Sequence, residues 1–389
     1  MKVLAISPSS VTAINRNVYV ELKHRGWDIE LVIPQKYVLS SGKTLIPERV
    51  RSNDPPIHFV ELKGINPRLF YFPSINNYLQ DDVKLVILEN DPVSYMAFHI
   101  GRRCATRGIT LFTLSCENLT FEVFPTIKRR GFTALPGAIL KNILFLIARP
   151  FIDTVFTISN DGTKIFKEKG FKKVVQTPLG FDPSVFFINE VERERIRSEL
   201  GLKAPVIAYF GRIVEEKGVD VLINALSMVK HLNWVFMLDK FNAYASPYQS
   251  KIYELIKSAG IQNKTIQIDA NHYQIASYMN AADVVVVPSI STSSWKEQYG
   301  RILPEAMACG KIVFASASGT LPELLGENGV LFAERDAEGL SLLLKDFLVT
   351  PNKYLHFGIK AAKQSANLSL KAQADIIEQQ LENKYGRKP

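Results

Sequence analysis

The stretch Trp295-Lys-Glu-Gln-Tyr-Gly-Arg-Ile-Leu-Pro-Glu-Ala-Met-Ala-Cys-Gly310 decides how this 389-residue chain is read. It lies between two apolar runs, Val284-Val-Val-Val-Pro288 and Lys311-Ile-Val-Phe-Ala315, that have the composition of buried strands. Strand, loop, helix and strand in succession make a βα unit. Glu297 falls in the loop, and Gly300 permits the tight turn after it. Pro304 suits the first helical turn, where a missing N–H costs nothing. Glu305 then stands near the helix start, with Ala306, Met307 and Ala308 packed behind it. Backbone N–H groups from Gly300 through Arg301 and Ile302 to Leu303 are expected to lack partners and to form a site for an anion such as phosphate. A carboxylate among them can accept hydrogen bonds from sugar hydroxyls. The plainer alternative is a solvated loop running into an amphipathic helix, because exposed carboxylates need no function.

The same alternation extends in both directions. Strands are expected at Lys2–Ile6, Asp28–Ile33, Ile57–Glu61, Val83–Leu88, Ile109–Leu114, Thr154–Ile158 and Lys173–Gln176, with helical patterns at Val11–Arg25, Pro92–Arg107 and Asp161–Lys169. Thr177-Pro-Leu-Gly-Phe-Asp-Pro183 is a turn-rich hinge, followed by a charged helix at Glu192–Leu200. A second series of strands then runs Val206–Phe210, Trp234–Leu238, Thr265–Ile268, Val284–Val287 and Lys311–Phe314. A last helix at Ser369–Lys384 carries Ala372, Ile376, Ile377 and Leu381 at helical spacing, and Gly386–Pro389 reads as a disordered tail. Two domains of α/β class with parallel sheets fit both the pattern and the length. Open sheets of this kind bind ligands at the carboxyl ends of their strands.

A second chemical stretch, Phe210-Gly-Arg-Ile-Val-Glu-Glu-Lys-Gly218, leaves one strand and enters a helix. Gly211 lets the backbone approach a ligand closely. Arg212 and Lys217 supply two cations, which can stabilise a departing diphosphate by about 3 kcal/mol or more per group in a dry site. The alternative is a surface loop in which Glu215 and Glu216 pair the cations. Ser41-Gly-Lys-Thr44 is not a phosphate loop, because the position five before Gly42 is Tyr37.

These stretches resemble retaining glycosyltransferases of the GT-B fold, family four, also called glycosyl transferases group 1. The resemblance rests on the Glu-x7-Glu spacing of Glu297 and Glu305 with Gly300, Glu305-Ala-Met-Ala and Gly310, on Gly211-Arg212…Lys217-Gly218, on Gly180 and Asp182 in the hinge, and on Gly319…Pro322-Glu323. It implies two Rossmann-like domains facing a cleft: residues 1–180 binding the acceptor and 181–368 binding a nucleotide-sugar donor, with a helix at 369–384 crossing back to the first domain. It implies that Arg212 and Lys217 hold the donor diphosphate, Glu297 the donor sugar and Glu305 the ribose. Gly211, Tyr299, Gly300, Arg301, Ile302 and Leu303 would line the donor, and Ile268 would stand where relatives contact the base. The activity implied is transfer of a sugar from a nucleotide diphosphate to a hydroxyl acceptor, in polysaccharide or glycolipid biosynthesis.

The first domain departs from the family pattern. Pro8-Ser-Ser-Val-Thr-Ala13 lacks the Gly-Gly of many relatives, leaving Ser9, Ser10 and Thr12 as hydrogen-bonding substitutes on the acceptor side. Ser115-Cys-Glu-Asn118 stands where many relatives carry a His, so Glu117 and Asn118 are candidates for its role; loop-stabilising hydrogen bonds are the alternative. Asp239-Lys240 stands where relatives usually have glycines. These departures keep open a catalytically weak GT-B scaffold that binds an anionic partner or a membrane surface. A hydrolase pair made of the two Glu residues and a nucleotide-sugar epimerase fit less well.

Bulk properties bound the rest. Hydrophobic residues are 47% and charged residues 22%, which is globular composition. Cys104, Cys116 and Cys309 show no paired spacing and suggest a reducing, cytoplasmic setting. The apolar run at the start is too short for a signal peptide, and Asn142–Ala148 is too short to span a bilayer. The formal charge of +9 implies attraction to something anionic, namely nucleotide phosphates, an anionic membrane surface or nucleic acid, and does not choose among them; with the family resemblance, no nucleic acid is expected. No Asp-x-Asp and no His-Glu-x-x-His occur, so no metal or other cofactor is expected. Between Val123 and Ile152 lie Lys128, Arg129, Arg130, Lys141 and Arg149 with no acidic residue, interleaved with Phe124, Phe132, Leu135, Leu140, Leu144 and Phe145. This is either a peripheral element at the inner face of a membrane or a core-facing helix with a solvated basic edge.

Overall fold

The structure is a computed structural model that describes residues 1–39, 42 and 44–386. The suggested tail at 387–389, and Ser41 and Lys43 of the dismissed phosphate-loop segment, lie outside the described residues. Internal contacts divide the chain into unit 1, Met1–Gly180 with Leu370–Pro389, and unit 2, Phe181–Ser369.

Unit 1 is built on seven parallel strands: β1 (Lys2–Ile6), β2 (Asp28–Pro34), β5 (Ile57–Val60), β6 (Val83–Leu88), β7 (Thr110–Ser115), β8 (Thr154–Thr157) and β9 (Val174–Gln176), with a small antiparallel pair, β3 (Tyr37–Val38) and β4 (Thr44–Leu45), set apart. Their order across the sheet is β5-β2-β1-β6-β7-β8-β9. Unit 2 carries β10 (Val206–Tyr209), β11 (Val235–Asp239), β12 (Thr265–Ile268), β13 (Val284–Val287), β14 (Ile312–Ser316) and β15 (Val330–Phe332) in the order β12-β11-β10-β13-β14-β15, again parallel. Strands covered on both faces need side chains that are apolar in both directions, and β13, four consecutive valines all buried, is the extreme case. In each sheet the strand order reverses once, between β1 and β6 and between β10 and β13. At such a point the loops diverge and leave a crevice at the carboxyl edge.

Three differences from the sequence reading have local causes. Val11–Arg25 is not one helix. Two 3-10 turns, Pro8–Val11 and Ala13–Arg16, precede the α-helix Asn17–His24, because the Arg16 side chain turns inward to cap that loop. Its Nε donates to Ser10 O at 2.8 Å and its Nη2 to Glu48 O at 2.9 Å. The apolar stretch around residue 142 is longer than its sequence suggests: one helical run, Phe132–Phe151, is long and apolar enough to cross a membrane by length and composition. The short strand β15 carries no separate sequence signal, being three residues long.

The last helix, Leu370–Tyr385, belongs to unit 1 and is held there by polar contacts. Arg25 pairs with Asp375 (2.6 Å) and Glu378 (2.8 Å), and Trp27 Nε1 donates to Glu378 at 2.8 Å. At the junction Phe181 and Ser369 form a parallel bridge.

The loop after β1 depends on a fully buried ion pair, Arg16 Nη1 with Asp54 Oδ2 at 2.9 Å. Arg51 reaches the other oxygen at 2.8 Å. Removing one partner of such a pair leaves a buried charge unpaired, which typically costs about 3–5 kcal/mol. Asp54→Ala is therefore expected to destabilise unit 1 by about that amount in denaturant unfolding. A loss below about 1 kcal/mol, the range of exposed pairs, would mean that water reaches Arg16.

Candidate functional site

In unit 2 three loops meet at the strand reversal. The first leaves β10 as Phe210–Gly218, the second leaves β13 as Pro288–Arg301, and the third leaves β14 as Ala317–Thr320. Their closeness is set by glycine. Gly218 has φ +64°, and a Cβ there would lie 2.0 Å from Pro288 O. Beside it Ile290 N donates to Glu216 O at 2.8 Å. Gly319 has φ +53°, and a Cβ there would lie 2.0 Å from Glu297 O. Thr320 N donates to that oxygen at 3.2 Å. No side chain larger than hydrogen fits at either crossing.

Glu297 is the point on which the loops converge. Its side chain is buried, and one carboxylate oxygen, Oε2, accepts from Lys217 Nζ and from Ser289 Oγ, the latter at 2.7 Å. Lys217 Nζ also lies 5.2 Å from the centre of the Trp295 ring, in cation–π range. Lys217 thus takes Glu297 as its partner rather than its neighbours Glu215 and Glu216. Two residues expected to act on different parts of a donor are bound to each other. Ser289 is missed by sequence reasoning. Its only sequence signal is its place just after a strand, beside Pro288.

The other residues are placed as follows. Arg212 has an exposed side chain, and its carbonyl accepts from Tyr209 OH at 2.6 Å, which fixes the loop next to Gly211. Burial pushes the Tyr209 phenol well above its ordinary pKa, and Glu297 is among the nearby charges adding to the shift. Glu305 lies in the first turn of the helix Ile302–Ala308 and is buried. Burial pushes its carboxyl up to about 8, opposed in part by Arg301. Near neutrality it is therefore largely protonated, a state that donates a hydrogen bond as well as accepting one. Tyr299 is buried, Gly300 and Ile302 are half-buried, and Arg301 is exposed. The expected row of unpaired N–H groups is shorter than the sequence reading has it. Leu303 N donates to Gly300 O at 2.8 Å, closing the turn into the helix, and its side chain is buried. Ile268 ends β12, with its carbonyl accepting from Lys240 N at 3.0 Å. Lys240 holds a left-handed backbone, φ +58°, unusual for a residue with a Cβ and in keeping with glycine being common there in relatives.

In unit 1 the acceptor-side candidates are committed internally. Ser9 Oγ donates to Glu89 at 2.7 Å, Ser7 Oγ donates to the same oxygen, and Tyr19 OH donates to the other at 2.6 Å. Ser10 Oγ lies 2.7 Å from Ser7 Oγ. Glu89 follows β6 and faces the loop after β1, so this cluster sits at the strand reversal of unit 1. Glu117 is buried and is engaged by Arg68 (2.9 Å) and Lys141 (2.8 Å), while Asp91 accepts from Ser115 Oγ at 2.6 Å. Contacts of this kind are the loop-stabilising alternative for Glu117. Asn118 is buried beside it. Among the described residues, no group of three or more His, Cys, Asp or Glu is placed to hold a metal ion.

Residues 190–364 match the family model for glycosyl transferases group 1. The matched residues all fall within unit 2. The D-inositol 3-phosphate glycosyltransferase of Corynebacterium diphtheriae is 32% identical over 199 residues, which cover 48% of this chain and 44% of that protein. The chain therefore spans about half the length of the curated relatives it matches. The fold likeness extends further. The Anabaena HepE structure in complex with UDP-glucose superposes with a TM-score of 0.72 at 20% identity, covering 98% of this chain and 100% of that one. A glycosyltransferase from Rickettsia africae gives 0.75 at 18% identity, covering 100% and 99%. The two Rossmann-like parallel-sheet units are those of the GT-B fold, and Lys217 and Glu297 both lie within the residues that match the group 1 model.

Two outcomes are expected of this geometry. Glu305 takes up its proton far more readily when folded than when unfolded, so from about pH 4.5 to about pH 8 the folded state holds one proton more. Stability then falls with rising pH across that window by about 1.4 kcal/mol per unit at most. Glu305→Gln should flatten this slope in melting curves taken from pH 5 to pH 8, and an unaltered slope would show the carboxyl to be ionised. Separately, Gly218→Ala should cost well beyond the ~1–2 kcal/mol of left-handed strain alone. Gly260→Ala is the control, because Gly260 has φ +68° and a Cβ there would meet nothing within 4 Å. Equal losses in denaturant unfolding would show that the Pro288 contact does not matter.

Proposed function

We propose that the chain is a retaining, metal-independent glycosyltransferase that moves a sugar from a nucleoside-diphosphate donor to a hydroxyl acceptor. The observation that carries this reading is the cluster of half-buried Lys217 with buried Glu297 and Ser289 at the strand reversal of unit 2, within the residues that match the group 1 model. The donor class is suggested by HepE, whose structure holds UDP-glucose. In the proposed step the bond between the anomeric carbon and the diphosphate oxygen breaks. The acceptor oxygen bonds to that carbon on the same face, and the acceptor proton passes to the departing diphosphate. Negative charge grows on the diphosphate, where Lys217 and Arg212 would oppose it. Glu297 would accept hydrogen bonds from the sugar, with Ser289 fixing the carboxylate. Glu305, as a neutral carboxyl, would exchange hydrogen bonds with two ribose hydroxyls without placing a second negative charge near the diphosphate.

The acceptor is proposed to be a lipid-linked or cell-envelope saccharide, and the protein to be cytoplasmic, at the inner face of the membrane. A second reading, a catalytically weak scaffold of the same fold, is favoured by one observation: Ser9, Ser10 and Glu117 spend their hydrogen bonds inside unit 1.

Melting curves with UDP, GDP, ADP and their sugar forms, without metal, test the donor site, because a ligand bound only by the folded state stabilises it by RT ln(1 + [L]/Kd). One nucleotide is expected to raise the melting temperature of the wild type. Lys217→Ala should lower donor turnover by roughly a hundredfold or more, as about 3 kcal/mol of stabilisation is lost. If no nucleotide stabilises the fold, the scaffold reading takes over.

A further inference from the structure

The loop that carries Ser289 and Glu297 has an anchor outside the site. Ser291, between those two residues, has every polar group engaged. Its N–H donates to Glu334 Oε2, and its Oγ donates to Glu334 Oε1 at 2.7 Å. Its carbonyl accepts from Arg335 Nη2 at 3.1 Å. Its Oγ also lies 3.1 Å from Ser318 Oγ, on the loop after β14. Hydrogen bonds to a carboxylate are stronger than neutral ones, and two donors from one residue fix orientation as well as distance. Glu334 and Arg335 stand between the edge strand β15 and the helix Ala337–Val349, apart from the three loops of the site. Arg335 holds a left-handed backbone, φ +64°, unfavourable for a residue with a Cβ. Such a conformation persists where the surrounding contacts hold it.

A shift at Ser291 would be passed on in both directions. Toward β13, Ile290 N donates to Glu216 O at 2.8 Å, and Ser289 O accepts from Ser316 Oγ. Toward Glu297, Thr292 N donates to Trp295 O at 2.7 Å and Trp295 N donates to Thr292 Oγ1 at 3.0 Å, which closes a turn. That turn sets the Trp295 ring 5.2 Å from Lys217 Nζ. We propose that Glu334, acting through Ser291, is a positioning residue that fixes the Glu297 carboxylate for the sugar of the donor. The inference rests on the donor-sugar role given to Glu297 above. The loop of Arg212 is fixed separately by Tyr209 OH, so loosening Ser291 should weaken binding of the sugar more than binding of the diphosphate.

Trp295 reports on the loop without any reaction. It is half-buried, whereas Trp27 and Trp234, the other two tryptophans, are buried. Acrylamide quenching of the Trp295 signal, identified by its loss in Trp295→Phe, should increase in Glu334→Ala. With the nucleotide sugar that stabilises the wild type, the donor kcat/KM of Glu334→Ala should fall roughly tenfold, as for a lost hydrogen bond to a charged group. The Kd of the nucleoside diphosphate alone should stay near that of the wild type. Glu334→Gln keeps one acceptor oxygen and the same volume. It should show a smaller change of the same kind, and it serves if the alanine variant does not fold. Because the two residues act through one contact, Glu334→Ala with Ser291→Ala should be no worse than Glu334→Ala alone. Unchanged quenching in a folded variant overturns the proposal. So do additive losses in the double variant, or equal losses of nucleotide and nucleotide-sugar binding, the mark of a general loosening of unit 2. If no nucleotide sugar binds the wild type, the transfer reading fails by itself, and quenching in the single and double variants still decides whether Glu334 holds the loop.

Discussion

A single buried carboxylate organises unit 2. Glu297 is out of water, so its charge must be met by the protein. Lys217 and Ser289 meet it from two different loops, and the backbone of the same residue is met by Thr320 from a third. The glycines at 218 and 319 let those loops come close enough to do so. None of the three loops could move far without stranding the charge or opening a contact of 2.0 Å clearance that only hydrogen tolerates. The rigidity of the site is thus a consequence of burying one anion at the point where the strand order reverses.

Glu305, eight residues on, shows the opposite solution to the same problem. It is equally buried, but among the described residues no cation is paired with it as Lys217 is with Glu297. Desolvation wins over the Arg301 charge and the carboxyl keeps its proton. Two glutamates in one stretch therefore differ in setting: one has an ammonium partner, and the other is buried with its carboxyl pushed up by the loss of water. A diphosphate beside a neutral carboxyl and a paired carboxylate meets less repulsion than two free anions would present.

The fold class is readable because parallel strands covered on both faces have few alternatives to continuous β-branched runs, as in Val284–Val287. The pairing of Lys217 with Glu297 is not readable, since 80 residues separate them and each has a plausible role of its own. The 3-10 turns before Asn17 are hidden for a similar reason. They depend on Arg16 reaching Asp54, and a lone Arg in a polar stretch gives no sign that it points inward. Glu89 and Asp91 are equally hidden: nothing marks them but their place just after β6, where ligand-facing residues and structural ones look alike. In the segment 123–152 the sequence poses a choice between a core helix and a surface one. The chain does both, because the apolar residues of Leu135–Ala148 are too many for one side of the helix.

The two strand reversals can be set beside each other. At that of unit 1, Glu89 receives three hydroxyls, from Ser7, Ser9 and Tyr19; at that of unit 2, Glu297 receives an ammonium and one hydroxyl. Hydroxyl donors bring no formal charge to Glu89, whereas Lys217 brings a cation to Glu297. The loop after β1 is therefore tied to a carboxylate that follows the neighbouring strand β6. The two reversal points thus differ in what holds the carboxylate: hydroxyls from the loop after β1 and from Tyr19 at the first, and an ammonium with a hydroxyl at the second.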